Sequence, residues 1–398
     1  MQDRFLAQGL DTEQRLLTML IAAKPTHSPF FQEFSQSLGE IDWSAFEDLI
    51  ARHRVAALVH AGIASLPYIE IPDQLSARLI RAKSANALKF LQSVGLASKV
   101  TLALDEKGIA CVILKGFMVA SQYYEHPSDR QMIDIDILVA EDRYDDAEQV
   151  VASLGFKRFY PDFTLQPSSK DSFKRLHNAY SFCRPGDKLQ IDLHWRTVNN
   201  PALFPHIDQN WTHMISYCTI SGLAFPTLER APHALYIIVH GAKSGWVRLK
   251  WLADVERIIR ALTEQQVEEF VRLVQITKLE KLVSMSLSLA EQLLGATLPD
   301  QLAQLVRNNP ANGLVRLAMP LIYGPIAEKK PSPREWRRYL NRMRYSFSLH
   351  GGLGYRSKSL LRELASPADL KIVLLRPEAV WLLAIISPVL GIWRSLRR

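Results

Sequence analysis

The chain has little cysteine: Cys111, Cys183 and Cys218 are the three in 398 residues. An odd number without CxxC spacing excludes a disulfide framework and a zinc knuckle, and it fits a reducing cytoplasm. The opening residues, MQDRFLAQGLDTEQ, lack the basic start and apolar stretch of a signal peptide, so secretion is not expected. Long apolar runs are missing too. The longest, AVWLLAIISPVLGIW at 379–393, has 15 residues and contains Pro388, short of the roughly 20 needed to cross a bilayer. Internal repeats, low-complexity tracts and the patterns of common RNA- or DNA-binding modules are absent.

What is present reads as a folded protein of two or three domains, with 48% apolar and 22% charged residues. The formal charge of +8 is unevenly spread. Residues 329–398 hold 15 Lys and Arg against 4 Asp and Glu, a net of +11, which leaves −3 for residues 1–328. The basicity therefore belongs to the C-terminal segment.

Residues 1–108 read as helices. DWSAFEDLIARHRVAALVHAGIA starts at Asp42, a suitable N-cap, and repeats apolar residues at helical spacing: Phe46, Leu49, Ile50, Val55, Leu58, Val59. SLPYIEIPD interrupts it, and another periodic stretch runs on from Asp73. The character then changes. IACVIL at 109–114 is a short β-branched run, Gly116 follows Lys115, and FMVASQYY reads as a helix. IDIDILV is the next strand, EDRYDDAEQVVASLG an amphipathic helix ending at Gly155, and AYSFCRPGDKLQIDLHW a hairpin turning at Pro185, Gly186 and Asp187. Helices return from Pro232 to about residue 325.

Alternation along a strand puts Asp134 and Asp136 on one face and Ile133, Ile135 and Ile137 on the other. Two neighbouring carboxylates repel, and a divalent cation such as Mg²⁺ removes that penalty. A solvated sheet face is the bland alternative. Three features favour the metal. ILKGF places Gly116 at a strand-to-helix turn, where backbone amides can approach a phosphate; LQIDLHW offers Asp192 as a third carboxylate; and HPSDRQ carries Arg130, suited to phosphate charge.

This order of elements resembles the polymerase-β-type nucleotidyltransferase superfamily. LKG, Tyr124, Arg130, DIDILV and IDLHW look like an uncharacterised bacterial nucleotidyltransferase family associated with polysaccharide biosynthesis clusters. ARHRVAALV and HGAKSGWVRLKWLADVERI are similar to its helical flanks, so the likeness runs from about residue 43 to 262.

The resemblance implies an α+β fold with a small mixed-sheet core between N-terminal and C-terminal helical domains. The expected divisions are a helical region at 1–108, the core at 109–228, a helical domain at 229–328 and a basic, partly apolar tail at 329–398. It also implies transfer of a nucleoside monophosphate from an NTP to a sugar precursor, a protein or RNA. Asp134, Asp136 and Asp192 would be both catalytic residues and ligands of two Mg²⁺ ions, with Mn²⁺ as a substitute, roughly 3.5 to 4 Å apart. Lys115, Gly116 and Arg130 would bind the nucleotide; Lys243 and Arg248, near a glycine-containing break, would either line the cleft over the triphosphate as further nucleotide-binding residues or be solvated. One departure stands out: the superfamily's turn serine is here Phe117, which has no hydroxyl for phosphate. A catalytically silent module of the same fold, docked on a membrane-associated assembly, is the alternative.

Other residues invite assignment. His194 and Arg196 are expected opposite Asp192, which leaves His194 structural or a support behind a metal ligand, and Arg196 solvated or packed on the helical domain. Trp251, Val255 and Ile258 form a core stripe, so Trp251 reads as packing. KKPSPREWRRYLNRMR interleaves seven basic residues with Trp336 and Tyr339. The basic segment could meet RNA or an anionic membrane; without an RNA-binding pattern, and with the apolar run that follows, residues 329–398 suggest contact with the inner face of a membrane or with a partner protein, a plain core helix being the alternative.

Overall fold

The computed structural model describes residues 9–36, 38–163, 167–186, 189–324, 336–373 and 375–396. Asp187 of the expected hairpin turn and residues 329–335 of the basic segment lie outside these.

A five-stranded mixed sheet forms the centre. Its strands are β1 (Cys111–Ile113), β2 (Asp134–Val139), β3 (Lys157–Tyr160), β4 (Ala179–Cys183) and β5 (Gln190–His194), in the order β1-β2-β5-β4-β3. β2 and β5 run parallel; every other neighbour is antiparallel. Ile135, Ile137, Ile191 and Leu193 are fully buried, in one apolar cluster with Val94, Ala97 and Val100 of the Asp73–Asp105 helix and with Tyr144 and Val151 of the Tyr144–Ser153 helix. That face is closed by helices, so the Asp134 and Asp136 face is the one left to meet a ligand.

A separate hairpin, β6 (Ile215–Ile220) and β7 (Leu223–Leu228), turns at Ser221 and Gly222, both with positive φ as a tight two-residue hairpin turn requires. It docks on β1 through Thr227, whose hydroxyl donates to the Ile113 carbonyl at 3.0 Å. Neither β3 nor this hairpin is evident in the sequence periodicity.

Asp42 caps its helix, accepting from the amides of Ser44 and Ala45 at 3.0 Å. The helix expected to continue through Val59 divides into Trp43–His53 and Ala56–Ala64, with Arg54 left-handed at φ 56°. The break lets the buried His53 ring accept from the Leu249 amide at 3.1 Å, capping the Leu249–Ala261 helix. The N-terminal helices and those from Arg230 to Ile322 share one apolar cluster, with Leu17, Met19 and Phe46 beside Val255, Ile258 and Leu282. The mixed sheet therefore has one continuous helical body at its side, built from both ends of the sequence.

The C-terminal segment folds back onto both parts. Tyr345 donates to the Ala242 carbonyl at 2.8 Å, Asn200 reaches the Tyr355 carbonyl and the Ser359 hydroxyl, and Ser172 donates to the Leu375 carbonyl at 2.6 Å.

Candidate active site

Parallel pairing of β2 with β5 sets Asp136 directly opposite Asp192 and Asp134 opposite Gln190. Carboxylates 56 residues apart thus share one sheet face, and donor atoms of Asp136, Asp192 and His194 all fall within 4.8 Å of one another. Asp136 is buried, whereas Asp134 and Asp192 are partly open to the cleft. Burial, then the charges of Asp136 and Asp134, pushes the Asp192 carboxyl up to about 6. Negative charge crowded in this way, in hard oxygen donors on one face, fits a divalent cation. Asp136 and Asp192 would hold it, with Asp134 at the rim.

Lys115 supplies the positive charge present now. Its ammonium pairs with Asp136 and stands 3.4 Å from Asp134. Burial acts to lower its pKa, but the two aspartates outweigh that and keep the lysine charged. The turn that delivers it depends on Gly116, at φ 72° and ψ −127°, where a Cβ would come 2.9 Å from the Asp134 carbonyl oxygen. Gly116→Ala is therefore expected to cost about 1–3 kcal/mol in urea unfolding and to displace the Lys115 ammonium. Phe117, in place of a serine, is fully buried against Phe225 and Phe90. It has become part of the core.

His194 corrects the sequence expectation. It lies two residues from Asp192, and alternation therefore places it on the same face of β5, not the opposite one. Its Nδ1 accepts from the Asn178 amide at 3.0 Å, so the proton is on Nε2, which donates to Asp136 at 3.1 Å. In this tautomer His194 orients Asp136 rather than offering a lone pair to an ion. Arg196 lies beyond the end of β5 and donates to the His177 carbonyl at 2.7 Å.

Arg130 has a different partner from the one expected. Its guanidinium, 3% exposed, forms a two-pronged pair with the fully buried Asp254 at 2.8 Å and donates to the Gly116 carbonyl at 3.0 Å. Tyr124 also donates to Asp254, at 2.6 Å. Arg130 therefore locks the glycine turn to the Leu249–Ala261 helix. Arg248 does not line the cleft; it reaches the Arg52 carbonyl instead.

Lys243, Lys250 and Arg54 line the same cleft as the acids, about 300 Å³ in volume. Lys250 donates to the Gln131 carbonyl at 3.2 Å. Burial first, and neighbouring cations second, lower Lys243 to about 8 and Lys250 to about 7; Arg362 contributes most among the cations for Lys243 and Arg130 for Lys250. Trp251 is only partly buried: it meets His240 edge-on at 5.3 Å and lines this cleft, although Val255 and Ile258 of the same stripe are core. Sequence reasoning overlooked Lys250, Arg54 and Asp254. Nothing local distinguishes them from ordinary helix residues, whereas counting strand positions would have found His194.

An aspartate pair on one strand, a third aspartate on its parallel neighbour and a glycine turn opening a helix define a nucleotidyltransferase core, here flanked by helices. The chain belongs to the family described as uncharacterised nucleotidyltransferase, which it matches over residues 39–295, more than half its length. Among solved structures it is similar to the solution structure of the antibiotic-resistance factor ANT(2'')-Ia, with 15% identity and a TM-score of 0.33, over 47% of this chain and 94% of that one. No curated protein matches the chain.

Proposed function

We propose that the protein transfers a nucleoside monophosphate from an NTP to a hydroxyl or phosphate acceptor, using divalent cations, with Mg²⁺ the first candidate. The observation that carries this reading is the meeting of Asp136 and Asp192 in a cleft also lined by Lys115, Lys243 and Lys250. A divalent ion bound by those carboxylates would supply Lewis acidity for the attacking oxygen and neutralise the leaving pyrophosphate. The acceptor oxygen bonds to the α-phosphorus as the α–β anhydride breaks. Its proton goes to solvent, and pyrophosphate leaves with the broken bond's electrons. The chain's own part is positioning and charge. Lys243 and Lys250 would grip the polyphosphate, while Lys115 would turn from the aspartates to a phosphate oxygen as the cation enters. A role in polysaccharide biosynthesis and a cytoplasmic setting complete the proposal.

The lowered lysine pKa values give this reading a pH signature. A bound polyphosphate favours charged lysine, so binding takes up protons and affinity falls as pH rises above about 7 to 8. Calorimetric titration of each NTP with Mg²⁺, in buffers of different ionisation heat, checks it. Lys243→Ala and Lys250→Ala are each expected to weaken binding by roughly 10-fold or more and to reduce the proton uptake. Absence of metal-dependent NTP binding by the native protein would defeat the proposal. It would favour the silent binding module, for which the Lys115 ammonium seated between the acids is the supporting feature.

A further inference from the structure

The C-terminal helices bury one side against the protein and leave the other apolar and unpartnered. The Leu353–Leu364 and Leu383–Leu396 helices pack together. Their inner side is committed: Tyr355 and Ser359 meet Asn200, the Ser366 amide donates to Ser387, and Leu370, Leu375, Val380 and Leu383 join the apolar cluster of the sheet. Outside lie two stripes at helical spacing. Leu353 is 82% exposed, with Leu360 and Leu364 following at intervals of seven and four. Trp381, Ile385 and Val389 are 57, 60 and 63% exposed at intervals of four, and Ile372 stands before them at 60%. An ordinary surface carries such residues singly, not in aligned rows.

From this we infer that residues 353–389 are a docking surface for an anionic lipid surface. Charge selects this occupant over a second copy of the chain. Within residues 353–389 five Lys and Arg stand against three Asp and Glu, a net of +2, and the exposed cations Arg356, Lys358 and Arg376 lie among the apolar stripes. Two copies brought together through this face would confront like charges. Acidic headgroups would meet the cations while Trp381, Ile385 and Val389 enter the boundary between headgroups and acyl chains.

Flotation of the full chain with phosphatidylcholine–phosphatidylglycerol vesicles, compared with phosphatidylcholine vesicles alone, tests this. The native protein should float with the anionic vesicles and be released by salt. Trp381→Glu with Ile385→Glu should lower vesicle binding by about 10-fold or more at an unchanged melting temperature, because both side chains are exposed. Arg356→Glu with Lys358→Glu should remove the preference for anionic lipid. Equal flotation of native and doubly substituted protein would overturn the inference, as would equal binding to both vesicle types. So would a lipid-free dimer that the Trp381 and Ile385 substitutions dissociate. None of these readouts depends on nucleotide transfer, so this inference and the proposed activity fail separately.

Discussion

Asp136→Ala and Asp192→Asn are expected to abolish nucleotide transfer alike and to move stability in opposite directions. Each substitution removes a carboxylate assigned to the cation, and loss of one preorganised charged group at a reaction centre costs on the order of 10²-fold or more in rate. Their folded-state roles differ. Burial alone would raise the Asp136 carboxyl, but Lys115 and His194 outweigh it and hold the group well below the usual carboxylate range. A depressed carboxyl contributes stability above its unfolded pKa of about 3.9, lost only as pH falls through the lower folded value. Its removal leaves the Lys115 ammonium without its main partner, at a cost towards the lower end of the ~3–5 kcal/mol typical of a broken buried pair, because Asp134 remains 3.4 Å away.

Asp192 works the other way. With its carboxyl raised to about 6, its ionisation opposes folding; the penalty grows between about pH 4 and 6 and is complete above that. Asp192→Asn should therefore melt higher than the native protein at neutral pH and converge with it below about pH 4. Mg²⁺ or Mn²⁺ should reverse the order by raising the native melting temperature without raising that of Asp192→Asn. Thermal unfolding across this pH range, with and without the ion, reads both effects. An equal ion-dependent shift in the two proteins would remove Asp192 from the metal site.

The largest purely structural effect is expected at Arg130 and Asp254. Both are buried, and each is the other's main counter-charge. Arg130→Met alone leaves Asp254 charged with only Tyr124 as a donor, and should destabilise by roughly 3–5 kcal/mol. Asp254→Leu alone should cost a similar amount. Replacing both with apolar residues removes both buried charges and is expected to recover much of the loss. Full recovery is not expected, because Tyr124 would lose its acceptor and the Gly116 carbonyl its donor. Urea unfolding of the two single variants and the double variant supplies the cycle. Strictly additive losses would show that the pair does not act as a unit. Activity should stay low in the double variant even where stability returns, since the glycine turn is no longer tied to the helical body.

What the sequence determined by itself is the local geometry. Alternation along a strand put Asp134 and Asp136 on one face, and the same rule, correctly counted, puts Asp192 and His194 on one face of β5. Asp42 marked a helix start because its carboxylate can reach the amides two and three residues on. Such features depend on backbone geometry over a few residues, and they persist wherever the segment is placed. Pairing was decided only by the tertiary structure. The register that sets Asp136 against Asp192, the union of Arg130 with Asp254 across 124 positions, and the gathering of lysines into the acids' cleft follow from which elements pack together. Lys250 became a candidate phosphate ligand beside Lys243, and Arg130 a lock on the glycine turn, for that reason alone. A side chain's charge is written in the sequence, but its neighbours, and so its pKa and its work, are fixed by the folded core.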